Sequence, residues 1–302
     1  MSAPDISNGA VSDRTTTIAR IVFFSCALVT ILTTFGIIAV LITGAIPFFR
    51  EVSIIEFFTE TTWSPLSEPR VYGIWPLIWG TMLIVVGSAV LALPVGVLTA
   101  IYLSEYASSR LRRILKPTLE VLAGIPTIVY GFFAISFITP QLQRLFPETG
   151  TFNAAAGAIV VAIMILPMVS SLSEDAMSSV PDHLRQAGYG LGATKFEVST
   201  KIVVPAALSG ILASFVLAIS RAVGETMAVT LAAGANPNIT FNMLEEIQTM
   251  TAYMVQVGKG DVSVGSIGYQ SLFAIGLVLF AMTLAMNIVS QWIRLRYREE
   301  YD

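Results

Sequence analysis

Two residue types that often carry chemistry are almost missing from this 302-residue sequence, which has one cysteine, Cys26, and one histidine, His183. A lone histidine excludes a His-cluster metal centre. A lone cysteine inside an apolar run excludes a disulfide framework and leaves the redox compartment unread. Neither HExxH nor the phosphate-cradling GxxxxGK occurs, so no catalytic residue, metal or cofactor is expected. Charge is also scarce. Only 12% of residues are charged and 55% are hydrophobic, against about 25% charged in a soluble domain. That balance argues against a globular enzyme and fits a chain whose main solvent is lipid, with no nucleic-acid partner. The net charge of −3 says little about partners, because the charges are segregated along the chain.

What the sequence does contain is long apolar runs. Six are long enough to cross a bilayer core, which takes about 20 residues: 21–46, 77–103, 118–138, 154–172, 206–233 and 272–295. The expectation is an all-α integral membrane protein with six transmembrane helices. Residues 1–18 read as a disordered cytoplasmic tail and 19–302 as one membrane domain. The first run is too long for the apolar part of a cleavable signal and is expected to remain as an anchor. Basic residues set the orientation. With the N-terminus inside, the inner segments carry Arg14, Arg20, Arg110, Arg112, Arg113, Lys116, Arg185, Lys195, Lys201, Arg294, Arg296 and Arg298. The outer segments carry only Arg50, Arg70, Arg144 and Lys259. Both termini are therefore expected in the cytoplasm.

Between the first two spans, FFREVSIIEFFTETTWSPLSEPRVYGIWP is rich in aromatics and proline; it is expected along the outer interface, where Trp and Tyr are favoured. Leu244, Ile247, Met250, Tyr253, Met254 and Val257 recur at helical offsets, predicting a surface or re-entrant helix over 243–257. Small residues in the spans allow close helix approach. Pro94, Pro126 and Pro167 should kink or break the spans they occupy, either as packing kinks or as lining of a path. Glu105 and Glu120 read as interfacial charges, Glu174 and Asp175 as the start of the inner loop, and Glu245, Glu246 and Lys259 as solvated charges on the outer side or contacts for an outside protein.

The longest inner connection, 174–205, predicts two short helices. One starts at Pro181-Asp182, Gly190 and Gly192 interrupt it, and Thr194 caps a second that ends before Pro205. Leu184, Phe196, Val198 and Ile202 are expected to pin the pair at the membrane surface. An ordinary structured loop and a projection that docks in another protein's groove both fit this reading.

One charged pair stands inside an apolar run, in SRAVGET of the fifth span. Arg221 and Glu225 are four apart, so a continuous helix puts them on one face, within reach of each other. A charge at mid-bilayer costs roughly 2.5–3.5 kcal/mol or more. A neutralised pair that locks the bundle is one reading. An arginine facing a translocation path, where its planar fork matches phosphate oxygens and its charge persists at any cellular pH, is the other.

The loop resembles the coupling motif of bacterial ABC-importer permeases: Glu-Ala-Ala, three residues, Gly, nine residues, Ile, one residue, Leu-Pro. Here Gln186-Ala187-Gly188, Gly192, Ile202 and Val204-Pro205 keep the full spacing, with Gln186, Gly188 and Val204 departing in identity. The segments FFTETTWSPLS, YGIWPLIWGT, SEYASSRLRR, LEVLAGIPTIVYG, SRAVGETMAVTLAAG and NIVSQWIRLRYRE extend the resemblance over nearly the whole chain, to the permeases of the phosphate-uptake family and in particular the PstC type. The resemblance implies a type I ABC-importer permease in the bacterial plasma (inner) membrane. It implies a homologous PstA-type partner, two ATP-binding subunits on the coupling loops and an extracytoplasmic phosphate-binding protein, with membrane lipid around the whole. It also implies a substrate path through Arg221, held and partly neutralised by Glu225. A permease for sulfate or molybdate, and an autonomous anion channel or carrier, are the alternatives; an intramembrane enzyme has no residues to support it.

Overall fold

The computed structural model describes residues 13–65 and 67–296. The chain is a bundle of helices: α1 (Asp13–Glu51), α2 (Ile54–Thr59), α3 (Trp75–Ile101), α4 (Ser109–Ala123), α5 (Thr127–Phe133), α6 (Thr139–Leu145), α7 (Ala154–Ser178), α8 (Asp182–Gly190), α9 (Lys195–Val198), α10 (Val204–Ala206), α11 (Leu208–Val223), α12 (Met227–Ala232), α13 (Met250–Gln256) and α14 (Ile267–Arg296). A two-residue antiparallel pairing, β1 (Trp63–Ser64) with β2 (Val71–Tyr72), sets Trp63 opposite Tyr72.

Four helices are long and apolar enough to cross a membrane, and two broken pairs raise the number to six if each pair is one span. The predicted runs 21–46, 154–172 and 272–295 fall within α1, α7 and α14, and 77–103 within α3 and the π-helical turn that follows it. The predicted tail 1–18 lies largely outside the described residues, but its last six belong to α1, which starts at Asp13. The third span, 118–138, breaks beside Pro126 as expected, whereas the fifth, 206–233, is interrupted where no break was expected. Between α4 and the α5–α6 unit the chain turns through 88°, because Gly124 ends α4 and Pro126 sits extended at the start of α5. The residue before a proline is biased away from helix. The fifth span turns through 69° before Leu208 and breaks again at Gly224.

The core is built on α3 and α7, which run parallel: Ile84 lies against Gly157 and Val169 against Gly96. Helix α11 runs antiparallel to α7, with Gly210 against Ala176 and the Ser214 and Ser173 hydroxyls hydrogen-bonded at 2.9 Å. Small residues at these crossings let backbones approach where no hydrophobic effect drives helices together. Helix α14 packs against α1, whose lipid-length face is largely exposed. Part of the aromatic linker is packed into the protein, while Phe58 and Trp75 stay exposed. Trp63, Tyr72, Phe48 and Phe57 are buried in edge-to-face contacts, and Tyr253 of α13 closes the cluster on Trp63 at 4.9 Å.

The helix predicted over 243–257 forms only from Met250. The preceding residues have another use for their backbone. The N–H groups of Ala154 and Ala155, which open α7 and have no partner inside it, donate to the carbonyls of Glu245 and Met243 at 3.0 and 2.7 Å. Asn153, fully buried, completes this end. Its Oδ1 accepts from Ala156 N–H at 2.8 Å, and its Nδ2 donates to Gly150 O and Thr139 Oγ1. Replacing Asn153 by Ala should therefore destabilise the fold by about 1–2 kcal/mol, the usual value of a lost N-cap. Asn153→Asp, which keeps the acceptor and loses the donor, should fall between the two. Thermal unfolding of purified protein in detergent checks the order; an unchanged midpoint for Asn153→Ala would contradict it.

Candidate functional site

Arg221 and Glu225 lie on opposite sides of a helix break, so the contact expected from their spacing does not form. Helix α11 stops at Val223, and Gly224 caps it by donating to Ser220 O and Ala222 O. Glu225 is buried and turns away: its Oε1 accepts from Ala228 N–H at 3.1 Å at the head of α12, and its carbonyl accepts from the buried Thr251 hydroxyl at 2.7 Å. Met250 N–H in turn donates to Thr81 Oγ1 of α3 at 3.1 Å. Glu225 thus ties α12, α13 and α3 together at the break.

Arg221 is exposed and, among the described residues, forms no ion pair. Its height follows from the packing of its own segment. Gly210 sits against Ala176 near one end of α7 and Ala233 against Gly157 near the other, with Arg221 about halfway between them in sequence. The guanidinium is on the outside of this subunit at mid-bundle. Beside it, Ser220 Oγ is buried without a hydrogen-bond partner.

The loop 174–205 folds as two helices joined by a glycine turn. Gly192 has φ +85°, a left-handed conformation that glycine adopts without steric cost. Gly192 N–H donates to Tyr189 O, and Ala193 N–H donates to Gly188 O at 3.1 Å, the pair of bonds that closes a Schellman turn. Gly188 packs on Ile202, so close that a Cβ there would fall 2.6 Å from its Cδ1. Thr194 and Glu197 form a reciprocal capping box at the start of α9, and Lys201 donates to Glu197 at 3.0 Å. These bonds hold the Glu197 carboxyl down at about 2, the backbone N–H of Thr194 contributing most. Its contribution to the cap is therefore complete above the ordinary carboxylate range and is lost only as pH falls through that range towards about 2. Gln186, Ala187 and Pro205 are exposed. Val198 is buried as expected, but Phe196 points outward, and with Leu191 (90% exposed) it makes an apolar tip.

Two charge clusters whose pairing the sequence reading did not identify anchor this loop. Glu174, with a completely buried side chain, is bound by Arg112, by Lys116 at 2.7 Å and by the Ser178 hydroxyl at 2.9 Å. Arg185 of α8 reaches Glu105 at 3.1 Å and donates to Met177 O at 2.8 Å and to Val180 O. Lys195 sits over the Tyr106 ring, 4.9 Å from its centroid. The only prior signal was Glu174 beside the end of a span, on the same side as a basic loop of opposite charge.

The arrangement has close counterparts. The alginate-importing ABC transporter structure in complex with its alginate-bound periplasmic protein superposes with a TM-score of 0.60 at 14% identity, covering 93% of this chain and 96% of that one. An inward-facing MetNI methionine ABC transporter gives 0.58 at 19% identity over 78% of this chain and 100% of its own. The fold is therefore that of a type I ABC-importer permease. The profile of the family described as "Binding-protein-dependent transport system inner membrane component" matches residues 92–299. The chain belongs to that family. It is 33% identical to the "Probable ABC transporter permease protein YqgH" of Bacillus subtilis (strain 168) over 92% of this chain and 90% of the relative. It is 31% identical to the "Phosphate transport system permease protein PstC" of Mesorhizobium japonicum (strain LMG 29417 / CECT 9101 / MAFF 303099) over 80% and 78% respectively.

Removing the Glu174 carboxylate leaves Arg112, Lys116 and Ser178 without their shared acceptor. Glu174→Ala should cost about 1–3 kcal/mol, read as a lower thermal midpoint and faster amide exchange in α4 and at the end of α7. Unchanged exchange in both segments would show that the cluster anchors nothing.

Proposed function

We propose that this chain is a transmembrane permease subunit of an ATP-driven phosphate importer, forming the ion's path with a homologous PstA-type partner. The observation that carries the reading is Arg221, exposed at mid-bundle height with no ion-pair partner. A guanidinium facing lipid at that depth is costly; facing the partner subunit across a wet path, it meets an oxyanion with paired hydrogen bonds. Relatives named as phosphate permeases support phosphate as that oxyanion. Glu225 serves the path indirectly, by fixing the break that presents Arg221, and an arginine left unpaired binds the ion without a competing carboxylate. A transport site must also release its ion, and one cationic ligand from this subunit suits that need.

Both termini and α8–α9 lie on the cytoplasmic side in this reading, as the basic residues require. The apolar tip at Leu191 and Phe196 docks into an ATP-binding subunit, one of two that hydrolyse ATP for the complex. An extracytoplasmic binding protein delivers phosphate to the opposite end.

Phosphate uptake by the reconstituted complex, with sulfate and molybdate as competitors, tests the substrate; preferential loss of uptake with molybdate would move the assignment to another oxyanion. Arg221→Gln should abolish uptake while the complex still assembles, and Arg221→Lys should recover little, because a point charge lacks the fork. Because Glu225 does not contact Arg221, the stability effects of Arg221→Gln and Glu225→Gln should add to within about 0.5 kcal/mol. Normal uptake in Arg221→Gln would remove this residue from the path.

The coupling role is tested at Gly192. Its positive φ makes Gly192→Val strained although no atom crowds the site. That variant should insert in the membrane but lose phosphate-stimulated ATPase activity and recruit less ATP-binding subunit. Full recruitment and uptake would refute the docking role.

A further inference from the structure

We infer that α4 lies along the bilayer interface and that its outward face, Arg110, Arg113, Ile114 and Val121, is a docking surface for acidic phospholipid headgroups. The inference rests on α5–α6 crossing the membrane and holds whichever ion is carried. The 88° turn between α4 and that unit lays α4 nearly in the membrane plane. The two sides of α4 have different occupations. Leu122 packs on the core, and Arg112 and Lys116 are committed to Glu174. The other side is free: Ile114 is 59% and Val121 71% exposed, seven residues apart and so on one stripe. Arg110 is one turn before Ile114 on that stripe and Arg113 borders it. Both are exposed, and neither makes an ion pair among the described residues.

Exposed aliphatic and guanidinium groups on one helix face match a lipid interface, with the aliphatics entering the acyl boundary and the cations meeting phosphate. The apolar surface continues past the bend into Val129 and Phe132 of α5, half or more exposed. Between Arg112, Arg113 and Lys116 an open cleft of about 370 Å³ is closed by Ser109 and Pro117, with Glu120 as its one acidic wall. Arg112 and Lys116 are already paired with Glu174 and Asp175, so the cation on this cleft that is open to a phosphodiester is Arg113, with Arg110 beside it on the exposed face. Juxtamembrane cations of this kind attract acidic lipid.

The test uses the assembled importer in vesicles of phosphatidylcholine with phosphatidylglycerol. In a Cys26→Ser background, Val121→Cys carries a spin label. The label should collide more with oxygen than with a water-soluble nickel chelate, as at the headgroup boundary. Preferential collision with nickel, or shielding from both reagents by a protein neighbour, would overturn the placement. In the second arm, spin-labelled phosphatidylglycerol should be retained over labelled phosphatidylcholine, and Arg110→Gln with Arg113→Gln should cut that preference by about threefold or more. An unchanged preference would overturn the lipid site. Competition by excess inorganic phosphate would overturn it as well, reassigning the cleft to the free ion.

Discussion

The constraint that orders this molecule is the absence of water in the bilayer core, where every backbone N–H and C=O needs a partner from the protein itself. A helix that breaks at membrane depth exposes such groups, and this chain breaks at Gly224 in the middle of its fifth span. The break survives because Glu225 satisfies an α12 amide with its carboxylate while Thr251 satisfies the Glu225 carbonyl. The acidic residue of SRAVGET is thus part of the backbone's hydrogen-bond economy, and its arginine neighbour is left to face outward. The same constraint explains why 243–247 is not helical: its carbonyls are needed by the opening amides of α7.

At the other end of the bundle the organising force is charge rather than backbone pairing. Glu174 is held by two cations of α4, and Arg185 joins α8 to Glu105 and to the Met177 carbonyl near the end of α7. Breaking one partner out of a buried cluster of this kind is more costly than never having built it. The two helices of the loop are consequently fused to α3 and α7 by side chains as well as by sequence, and a push on α8 reaches the parallel pair at the centre of the bundle directly.

Much of this was legible in the sequence. Hydrophobic run length located the spans, and the loop's turn followed from Gly192 and Thr194, because left-handed glycine and an N-cap threonine are local chemistry. What was not legible was tertiary. In 118–138 only Gly124 and Pro126 distinguish a straight span from a right-angled elbow, and neither sets the angle. Four-residue spacing put Arg221 and Glu225 on one face only if the helix continued, and whether it continues depends on Thr251, far along the chain. Glu174 looked like any span-end carboxylate until Arg112 and Lys116 were brought to it from a separate helix.

The capping of α7 has a consequence for how the chain comes to be. Its opening amides find their acceptors in Met243 and Glu245, which the ribosome delivers long after α7 has been translated. Until then that rim of the bundle must borrow its hydrogen bonds from water, so it can close only after the re-entrant segment arrives. Closure of this end of the bundle is therefore a late event, timed by the arrival of the C-terminal third of the polypeptide.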